Sequence, residues 1–195
     1  MKYNSIALFC GSSRGANPDF AAEAVTFGRR MAESGLTLYY GGGCIGIMGV
    51  TANAVLENGG TVIGVAPDFF TEGPVLAENL TEMIYVKTMS ERKQLLEKRA
   101  DAFVIFPGGY GTMDELFEVI TDAQLGFHKK PIIVFNPDGY YDYLKALLAH
   151  FVEEEFVRPF HQDLVLFANT IEEVFQQIES YENPNSESWL AKIKH

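Results

Sequence analysis

Basic residues are scarce in this chain. Fifteen lysines and arginines stand against 26 aspartates and glutamates, for a formal charge of -11, and the pI is near 4.8. That balance argues against a nucleic-acid backbone or an anionic membrane as partner, since both reward basic patches. A small anion can still be held in a locally positive pocket. Cysteine is scarcer: Cys10 and Cys44 each follow an apolar run and read as a pair of buried thiols in a reducing compartment, with no disulfide and no zinc site expected. The four histidines, His128, His150, His161 and His195, are scattered without metal-ligand spacing, so no metal is expected. Long apolar runs are missing too, none approaching the roughly 18 residues of a membrane span. Met1-Lys2-Tyr3-Asn4-Ser5 leads straight into an apolar strand, which leaves no room for a leader of about 15 to 30 residues. The expectation is a cytoplasmic protein.

What is present suffices for one domain. The chain has 195 residues, 47% hydrophobic and 21% charged, enough for a sizeable core. Apolar runs at 6–10, 36–40, 61–66, 83–87, 102–106, 132–135 and 164–167 read as strands, and helical periodicity fills the intervals between most of them. Strand and helix alternating throughout predict a doubly wound parallel α/β domain with helices on both faces, spanning 1–181, and a loosely held tail at 182–195. Asn17-Pro18 is expected to open the first helix, Ser90 to cap another, and Thr170-x-x-Glu173 to form a capping box. The stretch 68–74 is too rich in breakers for an element and reads as a flap, with Glu72 in it and Glu78 beyond it left outside the main assignment.

The chemistry concentrates at Pro107-Gly108-Gly109-Tyr110-Gly111-Thr112-Met113-Asp114-Glu115. This glycine-rich turn joins a buried strand to a helix, so it lies at the carboxyl end of a parallel strand, where ligands bind. The helix start offers unpaired N–H groups to a phosphate. Gly108, Gly109 and Gly111 can take positive φ and let backbone approach the anion, with the Thr112 hydroxyl as a further donor. Glu115 sits within about one turn, roughly 5.4 Å, of that anchor. This is the reach from a 5'-phosphate to the anomeric carbon of a ribose, where a carboxylate stabilises an oxocarbenium-like state or orients water. Thr112-x-x-Glu115 also fits a capping box, and the local pattern leaves both readings open.

Three further stretches add candidates. Ser12, Ser13 and Arg14 follow the first strand, placed either to contact a base or sugar or to lie in solvent. Gly41-x-Gly43-x-x-Gly46 matches a dinucleotide fingerprint without the acid expected about 20 residues on. The alternative is that these glycines let backbone pass close to another segment or to a ligand held by the Pro107 turn. Arg92 and Lys93 occupy the first turn of a helix, where cations oppose the helix dipole, and the placement predicts that they face an anion.

Taken together, Pro107 to Glu115, Met89-Ser90-Glu91-Arg92-Lys93, Cys10-Gly11-Ser12-Ser13 and Gly41 to Gly49 resemble the LOG family, the cytokinin riboside 5'-monophosphate phosphoribohydrolases, once labelled lysine decarboxylases. The resemblance runs over about 6–178. It implies a modified Rossmann fold, a homodimer, no cofactor, and hydrolysis of adenosine 5'-monophosphate or its N6-substituted relatives to free base and ribose 5-phosphate. By position it implies Glu115 and Arg92 as catalytic residues. Gly108, Gly109, Tyr110, Gly111 and Thr112 would bind phosphate, and Lys93, Ser12, Ser13 and Gly43 would contact substrate. Ser90 stands where many relatives carry His. A pyridoxal phosphate decarboxylase would need a Schiff-base lysine, and only Lys93 is near the site. The alternative from another class is a nucleotide- or pterin-binding carrier or sensor of the same fold.

Overall fold

A computed structural model of the chain describes residues 2–72 and 75–184. Seven strands, β1 (Ser5–Phe9), β2 (Thr37–Tyr40), β3 (Thr61–Pro67), β4 (Glu82–Val86), β5 (Ala102–Ile105), β6 (Ile132–Phe135) and β7 (Val165–Ala168), form one sheet in the order β4-β3-β2-β1-β5-β6-β7. Every pairing is parallel. Among the described residues six α-helices cover it: α1 (Asp19–Glu33), α2 (Gly46–Glu57), α3 (Met89–Arg99), α4 (Tyr110–Leu125), α5 (Asp142–Glu153) and α6 (Ile171–Ser180).

Strand periodicity divides the core in two. In β1, Ile6 and Leu8 face the layer of α1, α2 and α6, while Ala7 and Phe9 face α3, α4 and α5. β5 repeats the pattern, with Val104 packed on the first side and Phe103 and Ile105 on the second. Both faces are buried, which is why these strands read as continuous apolar runs. Each of the larger side chains, Ile, Leu, Val or Phe, contributes about 1.5–3 kcal/mol of burial.

The chain winds outward from β1 to β4 and then returns to place β5 on the other side of β1. The turns after β1 and β5 therefore diverge at a topological switch point, where an open parallel sheet leaves a crevice. They are tied together there by Gly11 N–H donating to Pro107 O at 3.0 Å.

Local signals fared unevenly. Asn17 Oδ1 accepts the Asp19 N–H at 3.0 Å, Gly126 at φ 85° ends α4, and Thr170 caps α6 by accepting the Glu173 N–H at 3.2 Å. Ser90 is not the cap of α3. Thr88 is, accepting the Glu91 N–H at 3.1 Å, and Glu91 Oε2 reaches back to the Lys87 N–H at 2.8 Å. The pattern Thr88-x-x-Glu91 starts two residues before Ser90, so the helix has already begun when Ser90 is reached. Asp68–Glu72, expected to be irregular, forms a 3₁₀ segment. After it, Cys44 N–H donates to Val75 O and Ala77 N–H to Gly42 O, which fastens this segment to the β2–α2 turn. Gly73, Pro74 and residues 185–195 of the expected tail lie outside the described residues. Among the described residues no helix is long and apolar enough to cross a membrane. The two thiols differ from expectation: Cys10 is buried but Cys44 is exposed.

Candidate active site

A cleft of about 600 Å³ opens at the carboxyl ends of β1, β2 and β5. Gly11 and Ser12 line it from the β1 turn, Gly41, Gly43 and Ile45 from the β2 turn, and Gly109 to Thr112 with Asp114 and Glu115 from the start of α4. Arg92 and Met89 enter from α3, and Phe70, Val75 and Leu76 from the segment after β3. One end is thus apolar and the other carries backbone N–H groups, hydroxyls and charge.

Glu115 and Arg92 form the centre of the polar end. Arg92 Nη1 donates to Glu115 Oε1 at 2.6 Å, and its Nε donates to Val65 O at 3.2 Å. Both side chains are about nine-tenths buried. Removing one partner of such a pair strands the other charge, at a cost of about 3–5 kcal/mol. Burial pushes the Glu115 carboxyl above the ordinary carboxylate range, and the Arg92 guanidinium pulls against that rise. Burial, with Glu115 adding to it, holds the Cys10 thiol well above its usual value, so Cys10 is an inert wall of the cleft.

The capping-box alternative for Thr112 and Glu115 fails. α4 begins at Tyr110 with Gly109 as its cap, and no side chain makes the capping bond. Thr112 is already inside the first turn, and Glu115 is spent on Arg92. Nor do Gly108, Gly109 and Gly111 take positive φ. A Cβ on Gly108 would lie 2.1 Å from Thr112 Oγ1, whereas at Gly109 and Gly111 it would project into open space. The absent side chains leave room above the helix start and let the turn fold tightly beneath it.

The glycines after β2 serve close packing, the second of the two readings. A Cβ on Gly41 would sit 2.1 Å from Arg92 Nη2, and one on Gly46, at φ +64°, would sit 2.2 Å from the Ser12 carbonyl carbon. The turn follows β2 rather than the first strand, so the fingerprint is a coincidence of a glycine-rich stretch.

Other expected contacts lie elsewhere. Lys93 does not line the cleft: its Nζ bonds Asp114 Oδ2 at 3.0 Å and Glu118 Oε2 at 2.9 Å. The two first-turn cations of α3 do face anions, but these are protein carboxylates on α4. Ser13 and Arg14 line a smaller cavity of about 280 Å³ on the other side of the Pro107 turn, and the Ser13 hydroxyl accepts the Gly15 N–H at 3.3 Å. Glu78 is exposed and lines neither cavity. Two tyrosines outside the candidates drawn from the sequence bear on the site. Tyr141 hydroxyl donates to Phe106 O at 2.7 Å and Tyr140 hydroxyl to Gly108 O at 2.8 Å. Their position just beyond another parallel strand, after Asn136-Pro137-Asp138-Gly139, was the available signal.

Fold and cleft together define a Rossmann-like protein with a cleft at the switch point. Solved structures share this architecture: the molybdenum cofactor binding protein of Rippkaea orientalis has a TM-score of 0.69 at 20% identity, covering 92% of this chain and 98% of that one. The Moco carrier protein of Chlamydomonas reinhardtii has a TM-score of 0.67 at 19% identity, covering 90% and 95%. Sequence narrows the class. The family profile described as "Possible lysine decarboxylase" matches residues 48–178. Cytokinin riboside 5'-monophosphate phosphoribohydrolase LOG7 of Arabidopsis thaliana is 39% identical over 181 residues, 93% of this chain and 83% of the relative. LOG3 of the same plant is 40% identical over 180 residues, 92% and 84%. The probable phosphoribohydrolase LOGL5 of Oryza sativa subsp. japonica is 38% identical over 192 residues, 98% and 78%. This chain belongs to the LOG family.

Proposed function

We propose that this protein is a phosphoribohydrolase that cleaves the N-glycosidic bond of adenosine 5'-monophosphate or of its N6-substituted, cytokinin-type relatives. Water adds its oxygen to C1' of the ribose, the C1'–N9 bond breaks, and a proton passes to the departing base, giving free base and ribose 5-phosphate. The observation that carries this reading is the buried Glu115 carboxylate, held 2.6 Å from Arg92 in the wall of a cleft that also receives the N-terminus of α4.

In this reading the N–H groups of Gly109 to Thr112 and the Thr112 hydroxyl take the 5'-phosphate. Thr112 and Glu115 are separated by a rise of about 4.5 Å along the helix, which brings the carboxylate to the anomeric centre. There it stabilises positive charge and orients water. Arg92 fixes the carboxylate and pulls against the rise that burial imposes on it. The base lies toward Ile45, Met48, Phe70 and Leu76, the apolar end of the cleft, which accommodates an apolar N6 group. Asp114 also reaches the cleft but is bonded to Lys93, and the proton for the base comes from solvent. Phosphoribohydrolase names among the relatives support the same reaction. A homodimer and a cytoplasmic site of action belong to this reading.

The test is chromatographic product analysis after incubation with adenosine 5'-monophosphate and isopentenyladenosine 5'-monophosphate, beside Glu115→Gln. Free base and ribose 5-phosphate from the wild type, with the variant about a thousandfold slower, are expected. Nucleotide binding without cleavage would overturn the enzyme and leave a carrier or sensor.

A further inference from the structure

The turn between β5 and α4 hands its carbonyls, one after another, to separate donors. Phe106 O accepts the Tyr141 hydroxyl at 2.7 Å, Pro107 O the Gly11 N–H at 3.0 Å, Gly108 O the Tyr140 hydroxyl at 2.8 Å, and Gly109 O the Met113 N–H at 3.1 Å. In a trans peptide the C=O and the following N–H point in opposite directions, and the described residues contain no cis bond. Each held carbonyl therefore aims the next N–H the other way.

The Gly108–Gly109 peptide needs this most. With glycine on both sides, no Cβ clash selects its orientation. A rotation of that single peptide would withdraw the Gly109 N–H and turn a carbonyl dipole toward the place of the anion. Tyr140 stands behind the turn, lining the small cavity rather than the cleft. Its ring is set edge-on to Phe20 at 5.4 Å and to Tyr141 at 4.7 Å. The loop that delivers it is tied down at both ends: Asn136 Oδ1 accepts the Tyr141 N–H at 2.5 Å, and Asn17 Nδ2 donates to Asp138 Oδ2 at 2.9 Å.

We propose that Tyr140 is a positioning residue for the substrate's phosphate: its hydroxyl locks the Gly108–Gly109 peptide so that the Gly109 N–H faces the anion, without itself touching the substrate. This rests on reading the start of α4 as the phosphate anchor. Tyr141 is a built-in control. Its hydroxyl holds Phe106 O, ahead of Pro107, which has no N–H to aim, and it also meets the Gly108 backbone, but on the Pro107–Gly108 peptide that Gly11 fixes independently through Pro107 O.

The experiment is calorimetric titration of the full chain with ribose 5-phosphate and, separately, with adenine, for wild type, Tyr140→Phe and Tyr141→Phe. Tyr140→Phe keeps the ring contacts and is expected to weaken ribose 5-phosphate about three- to tenfold, the range of one neutral hydrogen bond. Adenine binding and melting temperature should not move, since Tyr140 is partly exposed and water can replace its hydroxyl at Gly108 O. Tyr141→Phe should lower the melting temperature, because it leaves a buried carbonyl unpaired, while ribose 5-phosphate affinity stays within twofold. Equal ribose 5-phosphate affinity in wild type and Tyr140→Phe, or an equal loss of adenine affinity, overturns the assignment. A wild type that binds no ribose 5-phosphate removes the anchor itself and this proposal with it, an outcome distinct from a failure confined to Tyr140.

Discussion

Replacing Gly41 by Ala tests the placement of Arg92 without touching any charged residue. Gly41 is outside the left-handed region, so alanine meets no backbone strain. Its Cβ, however, would lie 2.1 Å from Arg92 Nη2 and 3.1 Å from Cζ. To restore ordinary contact near 3.4 Å the guanidinium must retreat by about 1.3 Å. It cannot do so while keeping both the 2.6 Å bond to Glu115 and the 3.2 Å bond to Val65 O. The far end of an arginine is flexible, so the fold survives. Losing one charge-assisted hydrogen bond costs about 1.5–3 kcal/mol, which in a domain of this size lowers the melting temperature by roughly 3–12 °C. Catalysis suffers more, because a misplacement of about 1 Å costs on the order of a hundredfold. Steady-state kcat/KM for adenosine 5'-monophosphate and a thermal melt, run side by side, give both numbers. A Gly41→Ala protein that keeps kcat/KM within threefold would show that the Arg92–Glu115 geometry does not govern the reaction.

Two further outcomes follow from the helices around this pair. Glu97 on α3 has its carboxyl pushed up to about 7 by burial and by Asp122, with Lys130 opposing and Glu118 adding to the rise. A carboxyl raised in the folded state contributes stability that is full below its unfolded pKa near 4.5 and is lost as pH rises through about 7. The wild type should therefore lose melting temperature between pH 5 and pH 8 more steeply than Glu97→Gln, by less than the full one-proton slope because Glu97 is partly solvated; parallel curves would refute it. At the start of α3, Thr88→Ala should cost about 1 kcal/mol in urea unfolding and Ser90→Ala under about 0.5, and the reverse order would restore Ser90 as the cap.

How much was legible in advance depended on the distance over which each signal acts. The parallel α/β class was readable because both faces of β1, β5 and β6 are buried, and this writes continuous apolar runs into the chain. Thr170 marked a helix start because a cap is settled within four residues. Ser90 misled because a better box, Thr88-x-x-Glu91, overlaps it. Lys93 was legible in part: a cation at a helix start announces an anion without saying whose, and the partners, Asp114 and Glu118, come from a helix 21 to 25 positions on.

The sequence by itself determined the strand–helix alternation, the turn at Pro107, and Glu115 and Arg92 as separate candidates at two helix starts. Tertiary structure alone decided that Glu115 spends itself on Arg92 instead of capping α4, and that Gly41 must be small because a guanidinium lies on it. It alone placed Tyr140 behind the turn as well. The physical reason is the same in each case: these are contacts across the switch point, between segments that only the order of strands in the sheet brings within a few ångströms, and no local propensity encodes that order.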